Sequence, residues 1–273
     1  MNAFPIGDAE IGGPRLFVLA GPCVVESEEL CMTVAKRLRA ACAERDVPFV
    51  FKASYRKANR SSGQSFAGLP PERALAALDR VRREVGVPVV TDVHEVSEVE
   101  AAAAVADCLQ IPAFLSRQTA LIQEAARSGR AVNIKKGQFL APDDMRQAID
   151  KVVEAGGRRV LVTERGTSFG YHDLVVDMRG LVLMRDLGWP VVFDATHSLQ
   201  RPGGAVTGGD RRFARPLMRA AVACGVDGLF FETHPDPDRA LSDAATQLPL
   251  DQAEAFLDAA LRVRRAVTER AHA

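Results

Sequence analysis

Eight short apolar runs recur along the chain: RLFVLAG (15–21), PFVFKAS (48–54), PVVTDV (88–93), CLQIPA (108–113), AVNIKK (131–136), RVLVTER (159–165), PVVFDAT (190–196) and GLFFETH (228–234). Several are continuous in Val, Ile, Leu and Phe rather than alternating, the pattern of strands covered on both faces. Between them lie segments rich in Ala, Leu, Arg and Glu, such as ERALAALDRVRREVG and EVEAAAAVA. The first opens after Pro70-Pro71 and stops at Gly86, both ordinary helix punctuation. Eight strands, each followed by a helix, predict an α/β chain folded as a (β/α)8 TIM barrel. The opening FPIGDAEIGG is either a small hairpin that closes the barrel floor or a loose tail. Two connections are long, Tyr55 to Leu69 and Ser198 to Gly209. Long Gly-rich loops at a barrel mouth often serve as lids, here around Pro202, Gly203 and Gly204.

Composition narrows the classes. The 273 residues are 47% hydrophobic and 26% charged, ordinary for a globular chain, and no Pro-, Gly- or Ser-rich linker divides them. One domain over residues 1–273 is expected. The net charge is zero, so nothing global points to nucleic acid or to an acidic membrane surface. No apolar run approaches a membrane span, and the N-terminal stretch has no signal-peptide pattern, so a cytoplasmic location is expected. The five cysteines, Cys23, Cys31, Cys42, Cys108 and Cys224, are odd in number and widely spaced, which favours free thiols. All but Cys23 read as helix or core filler.

Each apolar run ends in chemistry: Cys23; Lys52 and Ser54; Asp92 with His94; Gln110; Lys135 and Lys136; Glu164 with Arg165; Asp194 with His197; Glu232 with His234. In a barrel the carboxyl ends of all strands converge on one mouth, where catalytic groups from several strands meet. Lys52, Lys57, Arg60, Lys135, Lys136, Arg165 and Arg117 form a cationic set suited to more than one phosphate or carboxylate. Asn59, Ser61 and Ser62 add phosphate-compatible donors; the alternative for Lys57 and Arg60 is a solvated loop. A second set, Cys23, His197, Glu232 and Asp243, has the donor types of a divalent transition ion. Its alternative reading is a satisfied core histidine beside a small buried thiol. His94 and His234 are competing ligand candidates, while His172 and His272 read as structural or exposed residues in helical or tail positions.

These motifs carry a resemblance. GPCVVES, FKASYRKANRSS, TDVHE, QIPAFLSRQT, NIKKGQF, TERGTSFGYHDLVVDMR, FDATHSLQRPGG and FFETHPDPDRALSD run from residue 21 to about 250. Together they resemble the family of 3-deoxy-D-manno-octulosonate 8-phosphate synthases, also called 2-dehydro-3-deoxyphosphooctonate aldolases. The KANRSS stretch separates it from the related 3-deoxy-arabino-heptulosonate 7-phosphate synthases, which act on erythrose 4-phosphate. The resemblance implies a barrel enzyme of lipopolysaccharide precursor synthesis that condenses phosphoenolpyruvate with D-arabinose 5-phosphate and water. It implies the metal-dependent class, with Cys23, His197, Glu232 and Asp243 holding Zn, Fe, Mn or Co and no organic cofactor. Lys52, Lys57, Lys135 and Arg165 are expected to hold phosphoenolpyruvate, and Asn59, Arg60 and Ser61 the aldose phosphate. Arg117 is expected to reach that phosphate from a neighbouring subunit of a homotetramer. Ser54 and Gln110 join the substrate-binding candidates, and Lys57, Lys135, His197 and Asp243 the catalytic ones. Where the family reads Ser-Asp-Gly, this chain has Ser242-Asp243-Ala244, which puts the local backbone in question. The rival readings are the seven-carbon synthase, a Schiff-base aldolase using Lys135, and a non-catalytic sugar-phosphate-binding barrel.

Overall fold

Successive side chains of a strand face opposite sides, so in a barrel one parity fills the inside and the other meets the helices. A computed structural model describes residues 2–59, 63–202 and 208–269. Fifteen strands are found among them. A hairpin, β1 (Phe4–Ile6) and β2 (Ala9–Ile11), comes first. Barrel strands β3 (Phe17–Gly21), β4 (Phe49–Lys52), β5 (Val89–Asp92), β6 (Cys108–Ile111), β7 (Ala131–Lys135) and β8 (Val160–Glu164) follow. Two short pieces, β9 (Thr167–Ser168) and β10 (Leu174–Val175), precede barrel strand β11 (Val191–Asp194). Then come β12 (Gln200–Arg201), β13 (Gly208–Gly209), barrel strand β14 (Gly228–His234) and β15 (Leu248–Pro249). The eight barrel strands pair in parallel in chain order, and β14 closes the ring on β3.

Eight α-helices among the described residues surround the ring: α1 (Glu28–Ala43), α2 (Pro71–Arg80), α3 (Val99–Val105), α4 (Thr119–Arg127), α5 (Met145–Glu154), α6 (Met178–Arg185), α7 (Ala214–Ala223) and α8 (Ala253–Glu269). Ser27 caps α1 by accepting from Leu30 N, and α2 runs on as a wider turn until Gly86 stops it in the left-handed region, at φ 68°. The expected barrel is therefore present; β14 fills the whole of its apolar run, and the other seven strands are one to three residues shorter than theirs.

The two parities separate cleanly. Phe17, Leu19, Val50, Val90, Cys108, Ala131, Leu161, Val192 and Phe230 pack inside the ring together with Phe4, Ile6, Ala9 and Ile11. The N-terminal segment is thus the hairpin that plugs the floor, not a tail. Val18, Phe49, Phe51, Val89, Leu109, Val132, Ile134, Val162 and Phe193 pack outward against the helices. Counting up by twos from the inside layer reaches Cys23, Lys52, Asp92, Gln110, Lys135, Arg165, Asp194 and Glu232. The same count puts Lys136 and Glu164 outside, where they pair with each other at 3.6 Å. Lys136, grouped from sequence with the mouth cations, instead donates to Thr167 Oγ1 (2.9 Å) and to the Leu140 carbonyl (3.2 Å).

Candidate active site

The inside parity ends in a ring of charge. Lys52 Nζ donates to Glu232 Oε1 at 2.7 Å and to the Cys23 carbonyl at 3.1 Å. Gly21 lies between these strands, and a Cβ there would stand 2.1 Å from the Lys52 carbonyl, so only glycine permits the approach. Lys135 Nζ pairs with Asp194 Oδ2 and sits 3.2 Å above the centroid of the Phe230 ring. Burial pulls Lys135 down to about 8, against the pull of Asp194 in the other direction. Arg165 is likewise buried, and its Nη1 has no hydrogen-bond partner among the described residues. Burial works against the charge of Lys57, but Cys23, Glu232, Asp92 and Asp243 outweigh it and raise its pKa.

Lys52, Lys57, Asn59, Gln110, Lys135, Arg165 and His197 share the wall of one cavity of about 80 Å³. A hydrogen-bonded belt supports this wall from below. Thr163 donates to Asn133 Oδ1 (2.7 Å), Asn133 Nδ2 to Gln110 Oε1 (2.9 Å), and Gln110 Nε2 to Asp92 Oδ1 (2.5 Å). Ser54 faces the other oxygen of Asp92 inside the barrel rather than the cavity. Arg117 is exposed and is not in the cavity wall of its own chain; its carbonyl accepts from Lys151 Nζ at 3.0 Å. Arg60, Ser61 and Ser62, and the Gly203–Gly204 part of the long loop, lie outside the described residues, as does His272.

Beside the cavity stands the sulfur-containing set. One ligand atom each from Cys23, Glu232 and Asp243 can be chosen so that all lie within 4.8 Å of one another. His197 Nε2 is 3.7 Å from Glu232 Oε1 and 3.6 Å from Asp243 Oδ2. Asp194 Oδ2 accepts from His197 Nδ1 at 2.8 Å, which leaves Nε2 free to offer its lone pair. Glu232 Oε2 is buried without a hydrogen-bond partner among the described residues. Burial first, then Asp243 and Glu232, push the Cys23 thiol well above its ordinary range, and the thiol donates to Asp243 Oδ2 at 3.2 Å. Burial lowers the His197 pKa, but Asp194 and Glu232 overcome it and raise it. The same cations that face them, Lys52 and Lys57 with His197, hold the Glu232 and Asp243 carboxyls below their ordinary range despite burial. This donor set fits a divalent transition ion.

The competing histidines are elsewhere. His94 lines the cavity and its Nδ1 is 3.3 Å from Glu98 Oε2. His234 Nδ1 accepts from Asp236 N (3.0 Å), and its Nε2 lies 3.8 Å from Glu26. His172 is in the β9–β10 turn at φ 61°, not in a helix, and its Nδ1 donates to the Pro202 carbonyl at 2.6 Å. At Ser242-Asp243-Ala244 the left-handed residue is Asp243, at φ 49°, and Ala244 is not left-handed. Losing the family glycine at 244 therefore carries no φ penalty, while Asp tolerates the left-handed region better than most residues.

The sequence reading missed Gln200. Its side chain lies between Arg165 and Asp243, accepting from Arg165 Nη2 (2.6 Å) and donating to Asp243 Oδ1 (2.9 Å). Only its place three residues after His197, in SLQRPGG, could have drawn attention to it.

Comparison with known proteins decides the family. The family model described as the DAHP synthetase I family matches residues 5–269. A protein named 2-dehydro-3-deoxyphosphooctonate aldolase from Syntrophotalea carbinolica is 56% identical over 259 residues, 94% of each chain. The chain belongs to the 2-dehydro-3-deoxyphosphooctonate aldolase family. Proteins of the same name from Thioalkalivibrio sulfidiphilus (57% identical, over 89% of this chain and 87% of the relative) and Koribacter versatilis (52%, over 98% of each) match as well. The family resemblance read from the motifs is borne out. No helix among the described residues is long and apolar enough to cross a membrane.

Proposed function

We propose that this chain condenses phosphoenolpyruvate with D-arabinose 5-phosphate and water, giving 3-deoxy-D-manno-octulosonate 8-phosphate and inorganic phosphate. The observation that carries this reading is the meeting of four cavity cations, Lys52, Lys57, Lys135 and Arg165, with the adjoining Cys23–His197–Glu232–Asp243 set. Family membership at 50–57% identity supports the eight-carbon product over the seven-carbon one.

The residues divide the work by charge. Lys52, Lys57, Lys135 and Arg165 bind the carboxylate and phosphate of phosphoenolpyruvate, with Arg165 Nη1, which has no partner among the described residues, available to an anion oxygen. Asn59, with Arg60 and Ser61, takes the aldose phosphate, and Arg117 of a neighbouring subunit completes that grip in a homotetramer. Two mutually repelling anions are thereby held with the enol C3 beside the aldehyde carbon, which is catalysis by orientation and charge compensation. A C–C bond forms between those carbons, water oxygen adds at C2, and the C2–O bond to phosphate breaks. Cys23, His197, Glu232 and Asp243 would hold a divalent Zn, Fe, Mn or Co ion, which supplies Lewis acidity toward water or the aldehyde when bound. Asp194 fixes the His197 ring for that role through Nδ1. The reading takes the chain as one barrel domain working in the cytoplasm.

The test is phosphate release with phosphoenolpyruvate and either arabinose 5-phosphate or erythrose 4-phosphate, before and after chelation, paired with elemental analysis. Turnover with the five-carbon aldose, lost on chelation and restored by a transition metal, is expected. Preference for the four-carbon aldose would overturn the substrate assignment, and full activity in chelator would overturn the metal.

A further inference from the structure

Gln200 joins two groups that would otherwise attract each other. A guanidinium can only donate and a carboxylate can only accept, so the carboxamide orientation is unambiguous: Oε1 to Arg165 Nη2 at 2.6 Å, Nε2 to Asp243 Oδ1 at 2.9 Å. Each partner turns its other polar atom toward the site. Arg165 Nη1 is buried without a partner among the described residues, and Asp243 Oδ2 faces Cys23 Sγ at 3.2 Å and His197 Nε2 at 3.6 Å.

The backbone around Gln200 is built against the Asp243 loop. Gln200 pairs with Gly209 across the β12–β13 ladder. A Cβ on Gly209 would stand 2.2 Å from Thr246 Cγ2, so glycine is what lets this ladder lie on residues 243–247. Arg211 Nη2 donates to the Ala244 carbonyl at 2.6 Å, a second tie between the same two segments. Asp243 itself is held at a left-handed φ of 49°.

We infer that Gln200 is a positioning residue: a neutral spacer that keeps Arg165 and Asp243 from collapsing into an ion pair, so that each stays oriented toward its own ligand. Glutamate would lack the donor, lysine the acceptor, and an apolar residue both. The inference rests on the proposed reading of Arg165 as an anion holder and Asp243 as a metal ligand.

Two binding measurements test it without turnover. Cobalt(II) is titrated into the metal-free protein and followed by the thiolate-to-cobalt charge-transfer band, and phosphoenolpyruvate binding to the metal-free protein is measured by calorimetry. Gln200→Met should weaken cobalt binding about tenfold or more and alter the band, as loss of a group that orients a metal ligand does. It should weaken phosphoenolpyruvate binding in parallel. Arg201→Ala, at an exposed neighbour 3.4 Å from Asp173, should change neither affinity and controls for disturbance of the ladder. Wild-type affinity of Gln200→Met for both ligands, or loss of one with the other intact, overturns the spacer. No charge-transfer band in the wild type removes the metal reading and the spacer with it; a normal band there with an unaffected Gln200→Met removes the spacer alone.

Discussion

Lys52 Nζ and Glu232 Oε1 are 2.7 Å apart, a fully buried ion pair that reaches from β4 to β14 over the intervening strand β3. Burial raises the Glu232 pKa, and Lys52 foremost among its neighbours brings it below the usual carboxylate value. Removing one partner leaves the other charge buried and uncompensated, a loss of about 3–5 kcal/mol. Lys52→Met should therefore destabilise the metal-free protein by about that much. A divalent ion held at the Glu232 carboxylate, as proposed, would replace part of the lost positive charge, so metal should restore stability more in this variant than in the wild type. Denaturant unfolding of both proteins, with and without chelator, gives the comparison; equal losses in the two conditions would separate Lys52 from the metal site.

Lys135 carries the pH prediction. Burial first, opposed by Asp194, sets its pKa at about 8 rather than 10.5 in the unliganded protein. The sign follows directly. Below about 8 the amine is charged and, in the proposed role, would attract the phosphoenolpyruvate anion; above it the charge is lost and capture should weaken. kcat/KM for phosphoenolpyruvate should thus fall on an alkaline limb near that value, approaching a slope of minus one. Lys135→Arg keeps the charge through this range and should shift the limb upward, with a lower plateau because a guanidinium does not match an ammonium's reach. A limb unmoved in Lys135→Arg would assign it to another group.

The belt Thr163–Asn133–Gln110–Asp92 gives a stability prediction with a functional side. Asn133 is fully buried and is the middle link, accepting at 2.7 Å and donating at 2.9 Å. Asn133→Leu leaves the Thr163 hydroxyl without its acceptor and Gln110 Oε1 without its donor. Each orphaned buried group costs about 1–3 kcal/mol, so a loss of about 2–6 kcal/mol is expected in denaturant unfolding. Gln110, freed on one side, should also raise KM for phosphoenolpyruvate more than it lowers kcat. An Asn133→Leu protein as stable as the wild type would show that the belt carries no net energy.

Much of this site could be read from the chain because a barrel converts strand ends into one surface. Continuous apolar runs gave eight strands, and the residues after them gave Cys23, Lys52, Lys135, Arg165, His197 and Glu232. What could not be read depended on direction or on distant contact. Lys135 and Lys136 are adjacent and chemically alike, yet strand parity turns one to the cavity and the other to Glu164. Fixing that parity needed the floor plug, whose own identity as hairpin or tail was open. Gln200 was missed because its role comes from two partners, 35 and 43 residues away, and nothing in a loop glutamine announces that it lies between a donor and an acceptor. The φ of Asp243 likewise belongs to tertiary packing, so the missing glycine at 244 gave a doubt that the fold removes.

Arg117 offers the sharpest test of assembly. It is exposed and absent from the wall of its own chain's cavity, although Phe114, three residues before it, lies at the cavity rim. In the proposed tetramer it serves the aldose phosphate of a neighbour, so its loss and the loss of Cys23 damage different sites. Arg117→Ala and Cys23→Ala, each expected to be poorly active alone, should complement when co-expressed. In a mixed pair, the chain that keeps Cys23 receives Arg117 from its neighbour and one site is whole. Random pairing makes half the pairs mixed with one intact site in two, so about a quarter of wild-type activity should return. Recovery near that level, with arabinose 5-phosphate KM close to wild type at the restored sites, is the expected outcome. No recovery in mixed oligomers would mean that Arg117 acts within its own chain or not at all.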